Sequence, residues 1–119
     1  MEDYAAALRA EILREVPPLR ARWGDVTTIY IGGGTPTALP IALLTEILHT
    51  LISAAGIPQE CTVEANPGTV DVNSLAQLRA AGIADIYLVV GYLKEQFSYL
   101  ASDPHIHLVD NEDYHCCNN

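Results

Sequence analysis

Apolar residues recur along this chain in two rhythms, and the rhythms alternate. Tyr4, Ala7, Leu8, Ile12 and Leu13 fall at near-helical spacing within residues 3–15, which predicts a first helix. Pro17 and Pro18 follow; each lacks an amide donor and crowds the preceding turn, so the helix is expected to stop there. Short apolar runs rich in β-branched side chains then appear at Thr28–Ile31, 62–65, Ile86–Val90 and 106–109, each closed by Gly, Asn or Asp. Such runs read as strands buried on both faces. Between them lie helical patterns at 40–55, 72–81 and 94–101, the first two followed by Gly56 and Gly82 in the position of a C-terminal cap.

The resulting order is α-β-α-β-α-β-α-β. Strands separated by helices of this length require crossover connections, which predicts an α/β protein with an open parallel sheet of about four strands. A Rossmann-like sheet or a partial (β/α) barrel fragment satisfies this grammar. With half of 119 residues hydrophobic, the chain supports one domain over residues 1–119. Four parallel strands cannot close a barrel, so two backbone edges stay open. Those edges, the aromatic surface of Tyr30, Tyr87, Tyr92 and Tyr99, and a first helix hinged at Pro17-Pro18 together predict a homodimer or higher oligomer.

Charge removes several classes of partner. Fifteen Asp and Glu against six Lys and Arg give a formal net charge of −9, which repels phosphate backbones and anionic membranes, so neither nucleic acid nor membrane is expected. The opening "MEDYAAALRAEIL" is acidic and amphipathic, unlike a secretory signal, which points to a cytoplasmic protein. Cys61, Cys116 and Cys117 form no disulfide framework and suit a reducing compartment.

Candidate chemistry centres on "TIYIGGGTPTALP", residues 28–40. A strand running into Gly32, Gly33, Gly34 and Thr35 has two readings. In one its amides form a nest for an anion at a helix start; in the other the glycines simply supply positive φ in a tight turn. Glu64 and Asn66 belong at the end of the next strand, where open α/β sheets bind ligands, although a carboxylate there also serves as a solvated group or a helix cap. His105, His107, His115, Cys116 and Cys117 carry nitrogen and sulfur donors, but their placement on one strand and at a tail makes no specific metal site. No nucleophile paired with a base stands out.

Four phrases, "YAAALRAEI", "TIYIGGGTPTALP", "TVEANPGTVD" and "LAQLRAAGI", make residues 4–83 resemble the oxygen-independent coproporphyrinogen III oxidase family of radical S-adenosylmethionine (SAM) enzymes. The resemblance implies a partial (β/α) barrel in which Gly32, Gly33, Gly34 and Thr35 meet the methionine part of SAM, with Glu64 to Pro67 facing the same cofactor. Radical chemistry of that kind needs three thiolates in a CxxxCxxC loop to hold an iron–sulfur cluster. The family places that loop ahead of Tyr4, and Cys61, Cys116 and Cys117 cannot reproduce its spacing.

From Ala81 onward, "DIYLVVGYLKEQFSYLASDPHIHLVDNEDYHCCNN" resembles instead the nucleotidyltransferases of sugar phosphates and phosphocholine. The glycine-rich loop with an arginine, the Pro-Lys pair and the metal-binding carboxylates of that family have no counterpart in this segment. The sequence therefore predicts an engineered or recombined chimera with its joint near residues 82–86, carrying no catalytic residue and no bound cofactor. The alternative is a degenerate SAM- or nucleotide-binding module, with a vestigial site at Gly32, Gly33, Gly34, Thr35, Glu64 and Asn66.

Overall fold

The computed structural model describes residues 1–83, 85–90 and 94–110. Among the described residues, three α-helices and four strands follow in chain order. They are α1 (Glu2–Trp23), β1 (Thr28–Ile31), α2 (Ile41–Ala55), β2 (Glu60–Val63), α3 (Val72–Ala80), β3 (Ile86–Val90) and β4 (Ile106–Asp110), with 3₁₀ segments at Pro36–Ala38, Pro67–Thr69 and Lys94–Ser102. The α/β alternation is as the sequence predicts, and β1 and β3 have the expected bounds. β2 lies two residues earlier than expected, because the polar Glu60 joins the ladder and Glu64 to Asn66 turn out of it. The third inter-strand segment is a 3₁₀ helix where an α-helix was expected.

The first helix does not stop at the prolines. α1 runs through Pro17 and Pro18 to Trp23. Proline's fixed φ matches a helix, so the ring costs hydrogen bonds rather than direction when its neighbours can turn to water; Leu13 and Arg14, whose carbonyls lose those partners, lie on the exposed side. A stripe at Ala5, Leu8, Ile12 and Val16 packs α1 on Leu43, Ile47, Leu51 and Ala54 of α2. Arg9 of α1 adds a 2.8 Å bond to Glu46 and a 3.0 Å bond to the Thr50 hydroxyl. With no break at Pro17-Pro18, the expected hinge for exchanging this helix is absent.

The strands pair as two parallel ladders rather than one sheet of four. Thr28 to Ile31 face Glu60 to Val63, and Ile86 to Val90 face Ile106 to Asp110. No ladder joins β2 to β3; the order is β1-β2 and, separately, β3-β4. Hydrophobic periodicity reports which face a strand buries and is blind to which edge it pairs with, so the split lay beyond the sequence pattern. One core nonetheless serves both pairs. Leu44 and Leu48 of α2, Leu75 and Leu78 of α3, Ile86, Leu88 and Val90 of β3, Leu100 and Ile106 form one buried cluster.

The strands are half-buried, contrary to the expectation of burial on both faces. Ile29 is buried, while Tyr30 beside it is 66% exposed and Tyr87 of β3 is 60% exposed. One face of each ladder is thus uncovered. Tyr99 is also exposed, and Tyr92 falls outside the described residues.

α3 starts on a reciprocal cap. Asp71 accepts from the Ser74 amide at 2.7 Å, and the Asp71 amide donates to the Ser74 hydroxyl at 2.7 Å. Those bonds, the Ser74 amide first, hold the Asp71 carboxyl below its ordinary 3.8. A carboxyl depressed in the fold stabilises it fully above the ordinary value and loses that contribution as pH falls through the folded value. The melting temperature is therefore expected to fall as pH drops below about 4. Asp71→Asn, which keeps a capping oxygen without the charge, should flatten that fall. Identical acid profiles for the two proteins would remove Asp71 from the acid response.

Candidate functional site

The three glycines form a turn, not a helix start. Gly33 and Gly34 have φ of 91° and 62°, a region other residues enter at a steric cost. Gly32 is needed for room: a Cβ there would strike the Tyr30 ring and the Glu64 carboxylate. After Thr35 comes the 3₁₀ segment Pro36–Ala38, and α2 begins only at Ile41. The expected junction of loop and helix N-terminus is therefore absent, and the glycine amides lie away from the α2 dipole.

One of those amides also has a partner already. The Gly33 N–H donates to Glu64 Oε2 at 3.1 Å, and the Tyr30 phenol donates to Glu64 Oε1. The chain's own carboxylate fills the place an external anion would take. Tyr30 and Gly33 hold the Glu64 carboxyl below its ordinary range, the phenol contributing most. The same bond pushes the Tyr30 phenol up, with burial and the Glu64 charge adding to it.

A second set of bonds ties this loop to the turn after β2. The Thr37 hydroxyl lies 2.5 Å from the Thr69 hydroxyl and accepts from the Asn66 amide at 3.2 Å. Thr69 in turn donates to the Asn66 carbonyl at 2.7 Å, so Thr37 is the donor in the hydroxyl pair. Thr37 is 7% exposed, a buried polar group with its bonds made. The Asn66 side chain accepts from the Gly68 amide at 2.9 Å and caps the Pro67–Thr69 segment.

Of the six residues the sequence singles out, Gly33 and Glu64 bond directly, and Gly32 backs onto Glu64. Gly34, Thr35, Glu64 and Asn66 line one cleft of about 510 Å³ together with Tyr30, Thr62 and Tyr87. The sequence pattern missed Thr37 and Thr69. The repeated threonines of "GTPT" and "PGT" were the available signal, but threonine within two residues of a proline is too common in turns to single out.

The other expected donors are scattered. His107 Nε2 lies 2.9 Å from Asp85 Oδ1, and its ring stacks on Tyr87 with centroids 4.6 Å apart. His107 is the main reason the Asp85 carboxyl lies below its ordinary 3.8. The amide of His105 donates to Asp103. His115, Cys116 and Cys117 fall outside the described residues. Among the described residues no three His, Cys, Asp or Glu side chains are grouped to hold a metal ion. Cys61 lies in β2, half-buried, and burial pushes its thiol up; a protonated thiol in a strand is a poor cluster ligand. The described residues do not fit an iron–sulfur cluster. No helix among the described residues is long and apolar enough to cross a membrane.

Similarity to known proteins divides between two classes, one named for radical SAM or heme handling and the other for cytidylyl transfer. The chain is 32% identical to the heme chaperone HemW of Bacillus subtilis over 88 residues, 70% of this chain and 22% of that protein. It is 34% identical to radical S-adenosyl methionine domain-containing protein 1 of Bos taurus over 82 residues, 66% of this chain and 19% of that protein. It is 50% identical to the choline-phosphate cytidylyltransferase of Streptococcus pneumoniae over 42 residues, 35% of this chain and 18% of that protein. The chain thus spans about a fifth of the length of these curated relatives. No protein-family model matches it. No solved structure matches it significantly.

Proposed function

We propose that this chain is a non-catalytic α/β domain in which a radical-SAM-like segment, residues 4–83, and a nucleotidyltransferase-like segment, residues 81–119, were joined near residues 82–86 by recombination or engineering. The observation that carries this reading is the Glu64 carboxylate bonded to Gly33, which takes up one amide of the glycine loop at the place the resemblance assigns to SAM. Two features support the joint. The likenesses to HemW and to the cytidylyltransferase cover shares that add to more than the whole chain, so the two stretches overlap. Side chains from both sides of residues 82–86 also share one buried cluster, and Arg79 reaches Asp103 across it at 3.4 Å. Hydrophobic surfaces of similar size and pattern tolerate such exchange, whereas a catalytic set does not.

Purified protein, supplied with iron, sulfide and a reductant, is expected to release no 5′-deoxyadenosine from SAM and to transfer no cytidylyl or uridylyl group. Each reaction needs residues neither segment provides. Formation of 5′-deoxyadenosine would overturn the reading. A second reading, weak retention of SAM or a nucleotide, is favoured by the 510 Å³ cleft beside the loop; calorimetry with SAM and with CTP tests it separately from turnover.

Association of copies remains part of the proposal. Two parallel pairs with no shared ladder leave more open strand edge than one sheet of four. Sedimentation equilibrium at micromolar concentration is expected to show a dimer or larger species, and a monomer at every concentration would contradict it.

A further inference from the structure

One cleft gathers two aromatic rings and a carboxylate with no positive group among its lining residues. Tyr30, Thr35, Thr62, Glu64, Asn66 and Tyr87 supply its polar and aromatic surface, and none of its lining residues is basic. Both tyrosines stand on uncovered strand faces, more than half exposed. Neither ring hangs free. Tyr30 is tethered through its hydroxyl to Glu64, and Tyr87 is stacked on His107. Glu64 is fixed in turn by the Gly33 amide. The rings and the charge are therefore held before any ligand arrives, which lowers the ordering cost of binding.

The sign of the ligand follows from the same contacts. An anion would meet the Glu64 carboxylate where the loop amide has already been used. A small hard cation such as magnesium or calcium asks for several oxygen ligands, and the cleft offers one carboxylate. A large, weakly hydrated cation gains instead from the negative faces of aromatic rings, and a chain of net charge −9 draws cations toward it.

We propose that this cleft binds an alkylammonium head group between Tyr30 and Tyr87, with Glu64 supplying the counter-charge. A free small molecule and a modified lysine on a polypeptide both carry such a head group; the chemistry recognised is the same. Such a site asks for no catalysis and no nucleoside, so it stands or falls apart from the readings above.

Tetramethylammonium chloride is the probe, titrated into the intact protein against sodium chloride of equal ionic strength while the tyrosine ring resonances are followed by NMR. Saturable shifts at Tyr30 and Tyr87 are expected with tetramethylammonium alone. Tyr87→Leu and Glu64→Gln should each weaken binding by about five-fold or more, the scale of one cation–ring or charge contact. Tyr30→Phe keeps the ring but unties it from Glu64 and should weaken binding less than Tyr87→Leu does, while Tyr4→Leu, outside the lining of this cleft, should keep it. The substituted side chains are exposed, and far-UV circular dichroism checks that each variant folds. A trimethyl-lysine peptide that binds more tightly than tetramethylammonium identifies a polypeptide source, and equal affinity a small molecule. Shifts that match those in sodium chloride, or saturable shifts that survive both Tyr87→Leu and Glu64→Gln, overturn the proposal.

Discussion

Leu48→Ala is expected to destabilise the whole chain by about 2–5 kcal/mol, the range for truncating a fully buried leucine. Leu48 is 0% exposed. It lies in the middle of α2, in the cluster that also takes Leu75 and Leu78 from α3 and Ile86, Leu88 and Val90 from β3. Removing its side chain deletes apolar contact and leaves a cavity that close-packed neighbours fill only partly. Because the cluster spans both sides of residues 82–86, the loss should appear in a single urea transition shared by both ladders. Leu13→Ala, on the exposed side of α1 at 58% exposure, should change stability by no more than about 0.5 kcal/mol. A Leu48→Ala midpoint equal to that of Leu13→Ala would show that the cluster is not packed as described. Two separate transitions would show that the halves do not fold as one body.

Thr37→Val is expected to cost about 1 kcal/mol, the low end of the penalty for leaving a donor without its acceptor, because the lost bond is part-buried. Valine keeps the shape and removes the hydroxyl. The Asn66 amide then loses the oxygen 3.2 Å away, and the Thr69 hydroxyl loses the donor on its other side. Thr37→Ser restores the hydroxyl and should recover most of the stability. The Asn66 amide should lose hydrogen-exchange protection in Thr37→Val more than amides in α1 do. Equal stability of the valine and native proteins would mean that water replaces the hydroxyl without cost.

The elements that pattern could fix were those whose burial and length speak with one voice. β1 and β3 are short, β-branched and bounded by residues that break strands, and α2 ends at Gly56 as its sequence indicates. Pro17 and Pro18 misled because a proline pair reads as a stop when the chain is considered alone. Packing of α1 on α2 holds the helical path up to Val16, Arg20 beyond the prolines reaches the Ser53 carbonyl of α2 at 3.5 Å, and tertiary contact outweighs local preference. The site was legible as a set of residues and not as a set of partners. Glycines and Glu64 stand 31 positions apart in the Gly33–Glu64 bond, and no local rhythm states that a distant carboxylate will turn back into the loop. The split between β2 and β3 was hidden for the same reason, since ladder pairing is a long-range choice.

The two buried clusters give the molecule a hierarchy of openings. α1 contributes to one cluster only, against α2, while the larger cluster is assembled without any α1 residue. Detaching α1 exposes Ala5, Ile12 and their counterparts but leaves Leu44, Leu75, Leu78 and Leu88 enclosed. The N-terminal helix is therefore expected to release on its own, with an opening free energy below that of global unfolding. A protease that cuts this protein under native conditions would reach the peptide bonds of α1 through that partial opening, long before the strands let go.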